Sequence, residues 1–310
     1  MYKIFYSIII ILYYNNIIYK MIRQLSLLLL YFTFVSCVIN QLSFSGGGSF
    51  GALEIGILKK IMEDKNMTFD LYTGISAGAL NAGFLSYFTT IEEGITTAEN
   101  IYSDLKTRMI YKVLPLTDIS ILNTEPLFNT LTNIISKMPN KPVIHTLIGT
   151  TNLYSGNLDV YSFEDNDDLN KVHLLMASSA IPGLFPPIKY NGSLYADGGT
   201  LSNELLQVEH KDNEYINITY ITPYEGYIYD NSPIDSFKEM IKRTINIVTA
   251  NFDNPLASIN QNCENPMGEI NKYFVDSELL KGYSILNFDD GKKLIEIGYN
   301  NVERKKYKLC

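Results

Sequence analysis

Two apolar runs open the chain, after which its character changes. Residues 4–14 (IFYSIIIILYY) and 25–39 (LSLLLLYFTFVSCVI) are apolar, separated by Asn15, Asn16, Lys20 and Arg23. From residue 41 onward the spacing of apolar positions switches repeatedly between strand-like and helix-like. Residues 41–45 predict a short buried strand, ended by Gly46, Gly47 and Gly48. Leu53, Ile55, Leu58, Ile61 and Met62 fall on one side of a helix over residues 52–64. Residues 69–73 predict a second strand and 77–87 a second helix, and a helical stretch continues to about Ser136. Residues 143–150 and 158–163 predict two more strands, 169–179 a helix and 215–222 (YINITYIT) a further strand. The C-terminal third, from Ile234, predicts mostly helix. Strands alternating with helices imply an α/β fold: a three-layer α/β/α sandwich around a mostly parallel central sheet. No repeat or low-complexity linker divides residues 41–310, so they form one domain.

Composition narrows the class. The 310 residues are 46% hydrophobic and 19% charged, which excludes a disordered chain. A net charge of -8 excludes a phosphate-backbone binder, so no nucleic-acid partner is expected. The cysteines Cys37, Cys263 and Cys310 have no CxxC or Cys/His spacing, which excludes a structural zinc site or a disulfide scaffold. No metal or cofactor is expected. The 23 tyrosines and absent tryptophan reflect a skewed composition, so tyrosine richness alone carries no weight.

Residues 1–40 are expected to be an address. The uncharged second run is shorter than the about 20 residues of a membrane span. With Lys20 and Arg23 before it and Val35-Ser36-Cys37 after, it has the shape of a signal peptide. An uncleaved membrane anchor and a buried N-terminal helix are the alternatives, and Met21 is an alternative start. The expected location is the secretory pathway, with the protein secreted or membrane-anchored. After cleavage Cys263 and Cys310 would remain as a candidate pair. Sequons at Asn66, Asn191 and Asn217 permit glycosylation and decide little.

Three motifs carry candidate chemistry. Gly46-Gly47-Gly48-Ser49-Phe50-Gly51 lies between a strand and a helix, where glycines let the backbone turn its N–H groups into one cavity. The string also fits a dinucleotide fingerprint, but the acidic residue Asp70 stands at the start of the next strand rather than its end. Gly74-Ile75-Ser76-Ala77-Gly78 runs from strand into helix and is a GxSxG nucleophile elbow in the context that motif requires. The third motif is the block from Ala177 to Gly199, ending Asp197-Gly198-Gly199 after a short strand. In isolation DGG is an ordinary turn; it matters because a serine nucleophile needs a base.

Together, in this order, these blocks resemble the patatin-like phospholipase family. The matching residues are Gly46 to Gly51, continuing Ala52 to Leu58; Gly74 to Gly78; the ASxAxPxxFPP-like block Ala177 to Pro187; and Asp197-Gly198-Gly199. The likeness is close over residues 41–205 and looser to Ile297-Gly298-Tyr299. It implies a patatin-like fold and hydrolysis of lipid acyl esters, phospholipase A-type, by a Ser-Asp dyad. Ser76 would be the nucleophile and Asp197 the base, with the backbone around Gly47, Gly48 and Ser49 as oxyanion hole. Gly46, Gly51, Gly74, Gly78, Gly198 and Gly199 would support the motifs. Two positions depart from the family: Phe50 stands where Arg or Lys is usual, and Leu205 replaces a proline that follows Asn203.

The chemistry sets further expectations. A Ser76–Asp197–His210 triad is the rival arrangement, although His210 sits in a polar stretch typical of a solvated loop. An aspartate base, from a reference pKa of about 3.9 raised somewhat by burial, is expected to work down to about pH 5, whereas a histidine fails near 6.5. His145 and His173 are expected to be structural. The substrate would be a phospholipid or other acyl-ester lipid met at a membrane surface. Tyr220, Tyr224, Tyr227 and Tyr229 around Pro223 form a candidate interfacial loop, or an ordinary surface loop. An acyltransferase or thioesterase using the same dyad, and a non-catalytic lipid-binding protein, are the alternatives. The intact Ser76 and Asp197 argue against the last.

Overall fold

The computed structural model describes residues 19–21, 23, 24, 38–63, 67–113, 119–138, 141–206, 215–226, 228, 233–237, 239–241, 243, 244, 247 and 267–309. The signal-like run 25–37, Asn66, Tyr227, Tyr229, His210, Cys263 and Cys310 lie outside the described residues. Contacts group residues 39–209 and 216–310 into one unit, and 1–38 with 210–215 into another. Among the described residues no helix is long and apolar enough to cross a membrane.

In chain order the larger unit runs β1 (Val38–Phe44), α1 (Gly51–Glu63), β2 (Leu71–Ile75), α2 (Ala77–Leu85), α3 (Ile91–Asp104), β3 (Lys112–Val113) and β4 (Leu122–Asn123). It continues α4 (Glu125–Ile135), β5 (His145–Asn152), β6 (Leu158–Ser162), α5 (Asp168–Ser178), β7 (Ile188–Tyr190) and β8 (Ser193–Asp197). After β9 (Tyr215–Glu225) and β10 (Gly268–Asp276), α6 (Gly291–Asn300) and β11 (Glu303–Leu309) close it. Nine strands form one sheet in the order β11-β10-β9-β1-β2-β5-β8-β7, with β6 also on β5. The β1–β2, β2–β5 and β9–β10 pairs are parallel, and the pairs toward the margins antiparallel. Residues 41–44 of β1 and all of β2 are buried on both faces, as expected of strands in a middle layer. The α/β class therefore stands, with a mixed, mostly parallel central sheet and packed helices.

Burial rather than charge holds α1 in place. Leu53, Ile55, Ile57 and Leu58 are wholly buried, each stabilising by roughly 2 kcal/mol. The half-exposed Lys59–Glu99 pair on the same helix contributes about 0.5 kcal/mol. The expected apolar stripe is thus a nearly all-round buried surface, because α6 covers the side that periodicity leaves open.

Three expectations are corrected. The stretch up to Ser136 is two helices, α3 and α4, separated by the small β3–β4 pair. Among the described residues the C-terminal third is not mostly helical: β10 and β11 flank α6 there. Lys272 hides β10, since a lysine interrupts the apolar pattern, yet it is 1% exposed with its ammonium 3.4 Å from Glu225. In β11 (ERKKYKL) the charges are those of a sheet edge, where lysines discourage pairing with another chain. Finally, Tyr220 and Tyr224 are no interfacial loop: β9 extends to Glu225 and buries both.

Candidate active site

Strand β2 runs straight into the elbow. Ser76 has φ 53° and ψ −122°, a conformation that costs a non-glycine residue about 1–3 kcal/mol and persists only when its surroundings enforce it. Those surroundings are specific. The Ser76 N–H donates to Ser178 Oγ at 2.9 Å, and the Ser178 hydroxyl donates to the Gly149 carbonyl at 2.7 Å. The first turn of α2 passes so close to β1 that a Cβ on Gly78 would lie 2.4 Å from the Ser45 carbonyl oxygen. Gly74, in β2, packs equally tightly under that turn.

Register explains how Asp197 arrives. Residues 71–75 of β2 pair with 145–149 of β5, and Thr150–Asn152 of the same strand pair with Asp197–Tyr195 of β8. Because β6 occupies the other edge of β5 over residues 147–151, β2 and β8 must lie end to end along one edge. The chain leaving Ile75 and the chain reaching Asp197 meet at Gly149–Thr150. There Ser76 Oγ donates to Asp197 Oδ2 at 2.7 Å. The second oxygen, Oδ1, accepts the Gly199 N–H at 2.8 Å, and the Asp197 backbone is tied to Ala180 and Thr151. Gly198 packs against the Gly149 carbonyl.

Both side chains are nearly inaccessible, and burial pushes the Asp197 carboxyl from 3.8 up to about 7, against the opposing pull of the Ser76 and Gly199 hydrogen bonds. The expected tolerance down to pH 5 is corrected on this ground: some rise from burial is expected from the sequence, but not one of this extent.

The glycine loop is pinned on both sides of two free donors. Gly46 donates its N–H to Asn203 Oδ1 at 3.1 Å and accepts from Asn203 Nδ2 at 3.2 Å. Gly48 has φ +58°, and a Cβ there would sit 2.3 Å from the Ile285 carbonyl oxygen. Ser49 donates its N–H to that carbonyl at 2.8 Å and its hydroxyl to the Ser284 carbonyl at 2.8 Å. Ser49 is therefore corrected from oxyanion donor to loop brace, its N–H being already committed. Among the described residues no acceptor engages the N–H of Gly47 or Gly48. Both glycines line a cavity of about 210 Å³ with Ser76, Asp197, Gly199, Ile181, Tyr224 and Ile285. Gly51 ends the loop beneath the Tyr102 hydroxyl. Phe50 is wholly buried, edge-on to Tyr224 with ring centroids 5.9 Å apart, so an aromatic contact to the cavity wall replaces the family's usual cation.

Ser76 and Asp197 touch directly, and the rival His210 lies outside the described residues. His145 is exposed at the start of β5 beside Glu164, and His173 stacks on Phe128. Among the described residues no cluster of His, Cys, Asp and Glu could hold a metal ion. Sequence reasoning missed three supports. Ser178 and Asn203 stood in or beside matched motifs, which was their available signal. Ile285 acts through a backbone carbonyl, and no residue type announces that.

A strained serine between strand and helix, facing a glycine loop and a buried aspartate, defines an α/β protein of the nucleophile-elbow class. Residues 42–238 match the patatin-like phospholipase description, and the chain belongs to that family. It is similar to probable lipid hydrolase 463L of Invertebrate iridescent virus 6, at 26% identity over 194 residues covering 53% of this chain and 61% of that protein. It is also similar to uncharacterized protein R571 of Acanthamoeba polyphaga mimivirus, at 24% identity covering 66% of this chain and 73% of that one. Among solved structures, VipD from Legionella pneumophila aligns over 86% of this chain and 68% of its own, with TM-score 0.41 and 14% identity.

Proposed function

We propose that the protein is a lipid acyl hydrolase that cleaves acyl esters through Ser76 and Asp197. The observation that carries this is the 2.7 Å hydrogen bond from Ser76 Oγ to a buried carboxylate oxygen, at the wall of a cavity that also holds two uncommitted backbone donors. Family membership and the name of the iridescent virus relative support a lipid substrate.

In this mechanism Asp197 takes the Oγ proton as Oγ attacks the ester carbonyl. The carbonyl oxygen gains negative charge, which the Gly47 and Gly48 N–H groups stabilise, at about 2.7–4 kcal/mol per donor. Collapse of the tetrahedral species breaks the bond to the alcohol, which leaves with the proton held by Asp197. Water then gives a proton to Asp197, attacks the acyl-enzyme and releases the fatty acid, and Ser76 recovers its proton. An aspartate whose pKa lies near 7 is well matched to both halves of this exchange.

The substrate meets the enzyme at a membrane surface in this proposal. Exposed Ile234, Phe237, Met240 and Ile247 belong to the segment that contributes Thr244 to the cavity. The uncharged run 25–39, following Lys20 and Arg23, supports delivery through the secretory pathway. Lipid profiling of wild type beside Ser76→Ala tests the activity, and a fluorophosphonate tests the nucleophile. Fatty-acid release and labelling are expected only in the wild type. Equal release by both proteins overturns the proposal, and acyl transfer to an added alcohol in preference to water would make the enzyme a transferase.

A further inference from the structure

One buried acid lies outside the chemistry above. Glu54 on α1 is wholly buried, yet its carboxyl has a partner on each side. Oε1 accepts the N–H of Ser45, the residue before the glycine loop, at 3.1 Å. Oε2 accepts Asn81 Nδ2 at 2.8 Å, and Asn81 sits on α2, the helix that starts at the elbow. The Asn81 amide also donates to the Gly51 carbonyl at the far end of the loop, at 3.0 Å, while Tyr102 holds its oxygen from α3 at 2.8 Å.

The loop is therefore fixed at Ser45, Gly46, Ser49 and Gly51, and Gly47 and Gly48 are suspended between fixed points. Among the described residues, the Glu54–Asn81 pair is what ties both ends of the loop to the helix that follows Ser76. We propose that Glu54 is a positioning residue that, through Asn81, sets the distance between the oxyanion donors at Gly47 and Gly48 and the nucleophile Ser76. It touches no reacting atom, and the inference rests on the hydrolase mechanism above.

Burial pushes the Glu54 pKa well above its ordinary value, outweighing the hydrogen bonds from Asn81 and Ser45 that favour the charged form. Glu54→Gln keeps the shape of the side chain and changes its hydrogen-bond pattern. Glutamine keeps one acceptor oxygen and must face either Ser45 N–H or Asn81 Nδ2 with an amide that cannot accept.

The test measures kcat and KM on a soluble short-chain ester, per folded molecule, for wild type, Glu54→Gln and the exchange Glu54→Gln/Asn81→Asp. Displaced oxyanion donors act on the transition state, so Glu54→Gln is expected to lower kcat about tenfold to a hundredfold with KM within about twofold. The exchange restores complementary donor and acceptor between positions 54 and 81 but takes from the Gly51 carbonyl its Asn81 donor, so it is expected to recover only part of the loss. A folded Glu54→Gln enzyme with wild-type kcat, or a loss appearing only in KM, overturns the inference. Should Glu54→Gln fail to fold, Tyr102→Phe, which releases the Asn81 amide, carries the same test, and an unchanged kcat there overturns it as well. Ser76→Ala separates the two levels. If it retains hydrolysis, the dyad mechanism fails; if it is inactive while Glu54→Gln is unimpaired, only the role of Glu54 fails.

Discussion

At the residue scale, Asp197 links activity and stability to pH with opposite signs. In the proposed mechanism its carboxylate form is the base, so kcat/KM on a soluble ester should fall about tenfold per pH unit below about 7. A histidine would give a similar limb, so the deciding variant is His210→Ala, which should leave both rate and limb unchanged. Stability runs the other way. Between pH 3.8 and 7 the folded protein keeps a proton that the unfolded chain has released, so this group costs stability as pH rises through that window. Asp197→Asn removes the ionisation while keeping the shape. It should be inactive, yet more stable than wild type at pH 8 by up to about 4 kcal/mol, with the gap narrowing toward pH 5. Thermal melts at the two pH values check this, and an Asn variant that melts below wild type at pH 8 would show that the carboxylate is stabilised by its partners. At Gly48 two penalties coincide, a positive φ and the Ile285 carbonyl 2.3 Å from any Cβ. Gly48→Ala should therefore cost about 1–3 kcal/mol in stability and at least about a hundredfold in kcat, read by melting and by ester hydrolysis.

At the element scale, β5 is the part that assembles the site. It receives β2 and β8 on one edge, and Ser178 on α5 straps the elbow back to its Gly149 carbonyl. Ser178→Ala leaves the Ser76 N–H and the Gly149 carbonyl without that bridge. The expected outcome is about 1–3 kcal/mol lost in urea melts and a reduced kcat, with the Asp197 pH limb in place. This is also where legibility in the sequence ends. Ser76, Asp197, Gly47 and Gly48 were readable because glycines and a small-residue elbow are constrained by backbone geometry, which leaves a mark on residue type. The alternation of strands and helices through α5 was readable from apolar spacing. The end-to-end meeting of β2 and β8 was not, because register is a tertiary property and Asp197 lies far along the chain from Ser76. Nor was the commitment of the Ser49 N–H, which depends on a carbonyl at Ile285. Strand β10 was masked by Lys272, whose burial makes sense only once Glu225 is placed beside it. The size of the rise in the Asp197 pKa belongs to the same group, since the depth of desolvation is set by what surrounds a residue.

At the scale of the whole molecule, the proposed function requires a lipid to leave a membrane and reach Ser76, which is almost wholly buried. The cavity that reaches Ser76 has Thr244 on its wall, and the segment carrying Thr244 exposes Ile234, Phe237, Met240 and Ile247 by roughly half each. Single exposed apolar residues are ordinary, but four in one short segment that also reaches the cavity offer apolar area whose burial in lipid would be favourable. Each large side chain moved from water into the acyl region gains about 1.5–3 kcal/mol, and two of them together change membrane affinity by a factor of about a hundred or more. A net charge of -8 works against anionic lipid, so apolar contact rather than charge attraction has to supply the binding. Phe237→Asp/Met240→Asp should therefore lower hydrolysis of zwitterionic phosphatidylcholine vesicles at least about tenfold, and vesicle co-sedimentation with it. The same variant should keep kcat/KM on a soluble short-chain ester within about twofold, because neither side chain lines the cavity. Equal losses on vesicles and on the soluble ester would place the defect in the active site and remove the membrane role from this segment. Unchanged activity on both would show that the enzyme meets its lipid through a different face.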